Sequence, residues 1–390
     1  MTIKIKQSHW ALLFSFLSLF ILGLADNIRG PLFPEILNQF QLSNTQGSWS
    51  FATTSAAAFV GSWISAPYLK KFSISSLLLL SVFLMGIGLM SMGKASSFLL
   101  LLVGSFVLGL SIGFMGVSQN LLVSENVDPS IRSRALSGLH GMYGLSSFFA
   151  PILASHATAI YGDWRGAFIV AGLISLLFFV FQFLIQPDRK FTVHQHLEAI
   201  STDQETVSKK ASKFALLLIG GMFAFYVVAE ILVSTRLALY MRTYFQMNLE
   251  QSSRYVTLFF LFLLIGRVLF AFIKLPISLK AQLNASLGIA LVLILLGLKV
   301  HPFFLALAGL GMAPYYPLCV SYISEASGHK SRTFIAFAMS FQSLSVVSMH
   351  LGVGYLTDRM GLAFAFGVGI LALVLSILCL NLHPRKLIVE

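Results

Sequence analysis

The chain has 390 residues, 57% hydrophobic and 10% charged, with 36 phenylalanines and a formal net charge of +12. A soluble domain carries about 25% charged residues, so an ordinary globular domain is excluded and a polytopic membrane protein is indicated. The lysines and arginines are scattered among loops rather than gathered into one basic stripe, which argues against a nucleic-acid partner.

The apolar runs predict twelve spans, each long enough to cross a bilayer. In chain order they cover 8–37, 46–69, 73–93, 97–123, 133–161 and 164–186, then 212–244, 250–272, 276–298, 302–323, 331–357 and 361–382. Lys4 and Lys6 precede the first run, but that run is one of many and continues into Pro31-Leu32-Phe33-Pro34. It therefore reads as a span and not as a cleaved leader. The run ends in Gly23-Leu24-Ala25-Asp26-Asn27-Ile28-Arg29-Gly30, which puts a carboxylate, an amide and a guanidinium near the helix exit. A charge at bilayer depth costs about 2.5–3.5 kcal/mol, so it is expected to face a wet cavity or a partner charge. A simple pair at headgroup level is the other reading.

Span four carries Gly104, Gly109, Gly113 and Gly116, and span five Gly138, Gly141 and Gly144; small residues at such spacing allow close helix contact. Gly109-Leu110-Ser111-Ile112-Gly113 matches the hydrolase pattern Gly-x-Ser-x-Gly, but it lies inside an apolar span and not on a strand-to-helix turn. The chain is expected not to be an enzyme. Cys319 and Cys379 sit in apolar runs, with no metal or disulfide spacing; no cofactor and no metal are expected. Segment 187–211 is the one long polar stretch and reads as a solvated linker. Most of the 26 lysines and arginines fall on one side if the N-terminus is inside. That predicts both termini and the linker in the cytoplasm, with the chain in a bacterial inner (plasma) membrane.

The halves repeat. Ser124-Glu125 followed by Ser133-Arg134 recurs as Ser324-Glu325 followed by Ser331-Arg332, Gly61 with Ala66 as Gly266 with Ala271, and Asp26 as Glu230. The fold class is therefore an all-α polytopic membrane protein, with twelve transmembrane helices in two parallel six-helix pseudo-repeats. Its domains are 1–186, a cytoplasmic linker at 187–211, and 212–390. Parallel repeats of this kind are expected to hold a substrate between them near the midplane.

Over its whole length the chain resembles a major facilitator superfamily transporter. That family's loop between spans two and three resembles Gly-x-x-x-Asp-Arg-x-Gly-Arg-Arg/Lys; here Gly61, Lys70 and Lys71 remain while the Asp is missing. The family's span-four arginine would fall at Ser105 and is absent, and the Gly-Pro pair of its antiporters becomes Ala150-Pro151. Trp164-Arg165-Gly166-Ala167-Phe168 and Gly266-Arg267 fit the family. Tyr226-Val227-Val228-Ala229-Glu230 with Leu239-Tyr240 resembles span seven of the fucose/glucose–proton symporters. The resemblance implies a secondary transporter whose partners are a small-molecule substrate, protons and the bilayer, acting as a monomer.

Several side chains are candidates for that work. Glu230, mid-span, and Asp26, its counterpart, are expected to couple protons; locking ion pairs of Glu230 with Arg236 or Arg29 are the alternative. Arg29 and Arg236 suit an anionic group in bidentate fashion, or they neutralise the two acids. Asn27, His140, Tyr143, Tyr315, Tyr316 and Gln342 are expected to bind substrate, with helix bridging or core packing as the alternative for each. Glu125, Arg132, Arg134, Arg267, Glu325 and Arg332 are expected to gate one of the two access states. The function expected is proton-coupled symport of a sugar or organic anion. The alternatives are proton-coupled efflux of an amphipathic compound and, further off, a non-transporting receptor or scaffold.

Overall fold

A computed structural model describes residues 7–185, 213–273, 275–327 and 331–383. The linker therefore lies outside the described residues, as do the side chains of Arg132 and Arg332. The first half comprises α1 (Gln7–Asn27), α2 (Arg29–Phe40), α3 (Asn44–Leu69), α4 (Ile74–Gly93), α5 (Phe98–Asn126), α6 (Pro129–Tyr161) and α7 (Arg165–Ile185). The second comprises α8 (Lys213–Phe245), α9 (Leu249–Phe272), α10 (Leu279–Lys299), α11 (Phe303–Met312), α12 (Tyr315–Ser327), α13 (Ser331–Met360), α14 (Leu362–Ala365) and α15 (Gly367–Leu382). Three pairs run end to end: α1 with α2, α11 with α12, and α14 with α15. The described residues thus make twelve spans, of which nine are long and apolar enough to cross a membrane on composition alone. The others are α3, α6 and α13.

All three breaks differ from the single helices expected, and proline explains two of them. Pro31 lacks the N–H that the Asn27 carbonyl would accept, and Pro314 lacks the one for Leu310. Four helix starts are capped by local side chains. Ser73, Ser97 and Ser278 each accept a backbone N–H of the first turn, and Asn248 with Gln251 forms a reciprocal box.

The chain divides into two units, Met1–Phe40 with Thr53–His194, and Gln41–Ala52 with Gln195–Glu390. Within the first, α1 packs on α6 and α5, and α4 on α5 and α7. Within the second, α8 packs on α13 and α15, α10 on α11 and α15, and α9 on α11. Span one on span five thus recurs as span seven on span eleven, and three on four as nine on ten. Glycine contacts repeat with it. A Cβ on Gly109 would lie 2.3 Å from the Thr54 carbonyl, and one on Gly309 would lie 2.3 Å from the Phe259 carbonyl. Only a hydrogen fits at either crossing; of the other glycines singled out in the sequence, Gly104 and Gly113 are likewise tight, whereas a Cβ on Gly116 or Gly141 would meet nothing within 4 Å.

The opening residues of α3 belong to the second unit, and Asp358 shows why. Its carboxylate accepts from the Asn44 and Thr45 backbone N–H groups, both at 2.8 Å, and from Asn44 Nδ2 and Thr45 Oγ1. It therefore caps a helix start from a distant part of the chain. At the end of α15, Asn381 Nδ2 donates to Asn284 Oδ1 at 2.8 Å, and His383 meets the Tyr322 hydroxyl at 3.4 Å. Burial, with the charge of Lys280, pushes the His383 pKa down to about 4. The unfolded chain protonates this imidazole near pH 6.5, whereas the folded chain resists until about 4. Stability is therefore lost as pH falls through that window. Thermal melting should show the wild type losing stability relative to His383→Gln between pH 7 and pH 5; parallel curves would count against it.

Candidate functional site

The ionisable residues singled out in the sequence form two clusters, one in each unit. In the first, the break after Asn27 frees carbonyls, and Arg29 answers them. Its Nε donates to the Asp26 backbone oxygen at 3.1 Å, and its Nη2 pairs with the Asp26 carboxylate. The other carboxylate oxygen accepts the Tyr143 hydroxyl of α6 at 2.9 Å. Asn27 Nδ2 donates to Ser147 Oγ at 3.0 Å and to the Gly23 carbonyl at 2.9 Å. Gly23 makes the approach possible, since a Cβ there would lie 1.9 Å from Ser146 Oγ and 3.1 Å from the Tyr143 carbonyl. The side chains of Asp26 and Arg29 are 27% and 9% exposed. Asp26 is thus held by a phenol and by a guanidinium anchored twice, and Asn27 bridges helices.

The second cluster centres on Glu230 of α8. One carboxylate oxygen accepts the hydroxyl of Tyr226, a turn earlier on the same helix, and the other lies 3.5 Å from Arg267 Nη2 of α9. Glu230 and Arg267 are 18% and 25% exposed. Tyr226 is buried, 2.8 Å from the Met312 carbonyl, with its ring stacked on Tyr315 at 4.3 Å. The Tyr315 hydroxyl donates to the Met222 carbonyl at 2.9 Å and lies 3.0 Å from Ser376 Oγ. The Tyr316 ring leans on Phe223 at 4.9 Å.

The pairing differs from the one expected. Glu230 meets Arg267, which the sequence placed among the gating charges, and not Arg236 or Arg29. Arg236 is 1% exposed; it donates to Ser48 Oγ at 2.8 Å and lies over the Phe51 ring, whose other neighbour is the His350 imidazole. Arg29 serves its own Asp26. Tyr315 is buried with its hydroxyl engaged, whereas Tyr316 and Gln342 are half-buried. His140, Arg134 and Glu325 are exposed, and Glu125 is half-buried. Sequence reasoning missed Tyr226 as a functional group. The i, i+4 spacing of Tyr226 and Glu230 was the available signal, since it puts both on one helix face. Among the described residues no three His, Cys, Asp or Glu side chains come together as metal ligands would. The chemistry on hand is that of two carboxylates in membrane-span helices, each paired with a guanidinium and accepting a phenol hydroxyl.

The chain is 22% identical over 261 residues to a "Protein TsgA homolog" of Buchnera aphidicola subsp. Acyrthosiphon pisum (strain Tuc7), a match covering 66% of this chain and 65% of the relative's length. It is 27% identical over 149 residues to "Sugar transport protein MST2" of Oryza sativa subsp. japonica, covering 36% of this chain and 28% of that one. The crystal structure of a D-xylose-proton symporter superposes with a TM-score of 0.77 at 14% identity, covering 97% of this chain and 99% of the other; at that identity the likeness speaks for the fold. Residues 15–349 match the Major Facilitator Superfamily. With that match running through most of a duplicated twelve-span fold, this chain belongs to the Major Facilitator Superfamily and is an integral multi-pass membrane protein.

Proposed function

We propose that the protein carries a small polar solute, a sugar or an organic anion, together with protons. It works by alternating access of its two repeats, and Glu230 is the acid that takes up and releases the proton. The observation that carries this reading is the way Glu230 is held. It is a carboxylate in a membrane-spanning helix, partly open to solvent, with one phenol and one guanidinium at the long distance of 3.5 Å. A charge so placed in a span is retained for a purpose. Asp26, gripped by Arg29 through two groups and by Tyr143, is the poorer proton carrier. Its cluster, with Asn27, supplies polar groups for the solute. The likeness of Tyr226 to Glu230 to span seven of the fucose/glucose–proton symporters supports the same assignment, as do the sugar and proton named for the relatives above. Glu125, Arg134 and Glu325 fall to gating, and both termini to the cytoplasm.

The test is uptake into proteoliposomes under an inward proton gradient, with D-xylose, D-glucose, L-fucose, lactate and glucuronate as probes. At least one should accumulate, and a protonophore should abolish the accumulation. Uptake indifferent to the gradient, or solute expelled as protons enter, overturns the reading.

A further inference from the structure

The Tyr226 hydroxyl has one hydrogen and two acceptors. Glu230 Oε2 lies on one side and the Met312 carbonyl, at 2.8 Å, on the other. A single phenol cannot donate to both. If Glu230 is ionised, the charge-assisted bond is the stronger one, so the hydrogen points at the carboxylate and the Met312 carbonyl loses it. If Glu230 holds a proton, the carboxylic O–H donates to the Tyr226 oxygen, and the Tyr226 hydrogen is released to Met312. Every group in the chain Glu230–Tyr226–Met312 is then satisfied.

Met312 is no ordinary carbonyl. It is the last residue of α11, at the break that Pro314 opens before α12. Carbonyls at a helix end need outside donors, and here side chains provide them. Ser286 Oγ of α10 donates to the Gly311 carbonyl at 2.6 Å, and Tyr226 reaches Met312. The ring of Tyr226 is fixed by its stack on Tyr315, the first residue past the break. We propose that Tyr226 is a positioning residue that switches its hydrogen between Glu230 and Met312, so that a proton arriving on Glu230 tightens the joint between α11 and α12.

This rests on the reading of Glu230 as the proton carrier, and it adds the route by which the proton reaches a broken helix. The titratable groups around the switch are few. Arg267 of α9 faces Glu230; Tyr315, Tyr316 and Cys319 come from α12; and Cys379 comes from α15. From α13, Phe337 and Phe341 pack at Gly220, earlier on α8. Tyr226→Phe keeps the stacked ring and deletes only the switch.

The test is hydrogen exchange by mass spectrometry on the full chain in nanodiscs, followed in peptides spanning 303–327 and corrected for the intrinsic pH dependence. In the wild type, exchange just past the break should slow about three- to tenfold as pH falls, the effect of one hydrogen bond. Glu230→Gln should be slow at every pH, because its amide N–H donates to Tyr226 and leaves the phenol to Met312. Tyr226→Phe should be fast at every pH. Ser286→Ala, which loosens the same break without a titratable partner, should be faster overall yet keep the pH response. A Tyr226→Phe variant that keeps the wild-type pH response overturns the switch, as does a Glu230→Gln variant that exchanges like the wild type at high pH. Transport separates the two claims. If Glu230→Gln still accumulates solute, the proton-carrier reading fails. If it does not, and wild-type exchange is independent of pH, only the switch fails.

Discussion

Replacing Glu230 by glutamine is expected to abolish gradient-driven accumulation while leaving counterflow of the same solute intact. Glutamine keeps the length of the side chain and its contact with Tyr226, but it cannot ionise. The driving force at stake is large. One coupled proton contributes about 1.4 kcal/mol per unit of pH gradient and about 2.3 kcal/mol per 100 mV of membrane potential. For a neutral solute, one unit and 100 mV together correspond to a ratio on the order of a few hundred. The variant should equilibrate its solute to a ratio of about one. Exchange of solute for solute needs no net proton movement, so counterflow should continue near the wild-type rate. The measurement is the internal-to-external ratio at steady state alongside the counterflow rate. Full accumulation by the variant would move the coupling role to another group, with Asp26 the next to test.

Asp26→Ala is expected to act on stability first. It takes the carboxylate away from Arg29, whose side chain is 9% exposed, leaving that charge in a span without the Asp26 carboxylate. Removing one member of a buried pair costs about 3–5 kcal/mol. The low end, about 3 kcal/mol, fits here because the Asp26 side chain is 27% exposed. Arg29→Met in the same chain should recover most of the loss, since the charge then goes with its partner. Thermal melting of the single and double variants gives the comparison. A single variant that melts with the wild type would mean that groups other than the Asp26 carboxylate hold the Arg29 charge.

Much of this protein is legible from local rules. The span count, the duplication and the two intramembrane acids all follow from hydropathy and from recurring residue pairs. Even the Asp26–Arg29 pair is a matter of i, i+3 spacing. The breaks in spans one and ten were signalled by Pro31 and Pro314, yet each span was expected whole, because the apolar run continues through the break and hydropathy does not register a missing N–H. The partner of Glu230 was not legible. Arg236 is six residues away in the chain, but the helix turns it toward Ser48 and Phe51. Arg267 is far along the chain and arrives only because α9 packs against α8.

The amino-acid order alone therefore settles what enters the membrane and how often, because transfer of apolar side chains out of water depends on composition and run length and hardly on neighbours. Only the packed helices decide which guanidinium neutralises which acid, and that Tyr226 stands between Glu230 and a helix break. Those contacts depend on the angular position of each side chain around its helix and on which helices touch. Neither is written in any short stretch of the chain.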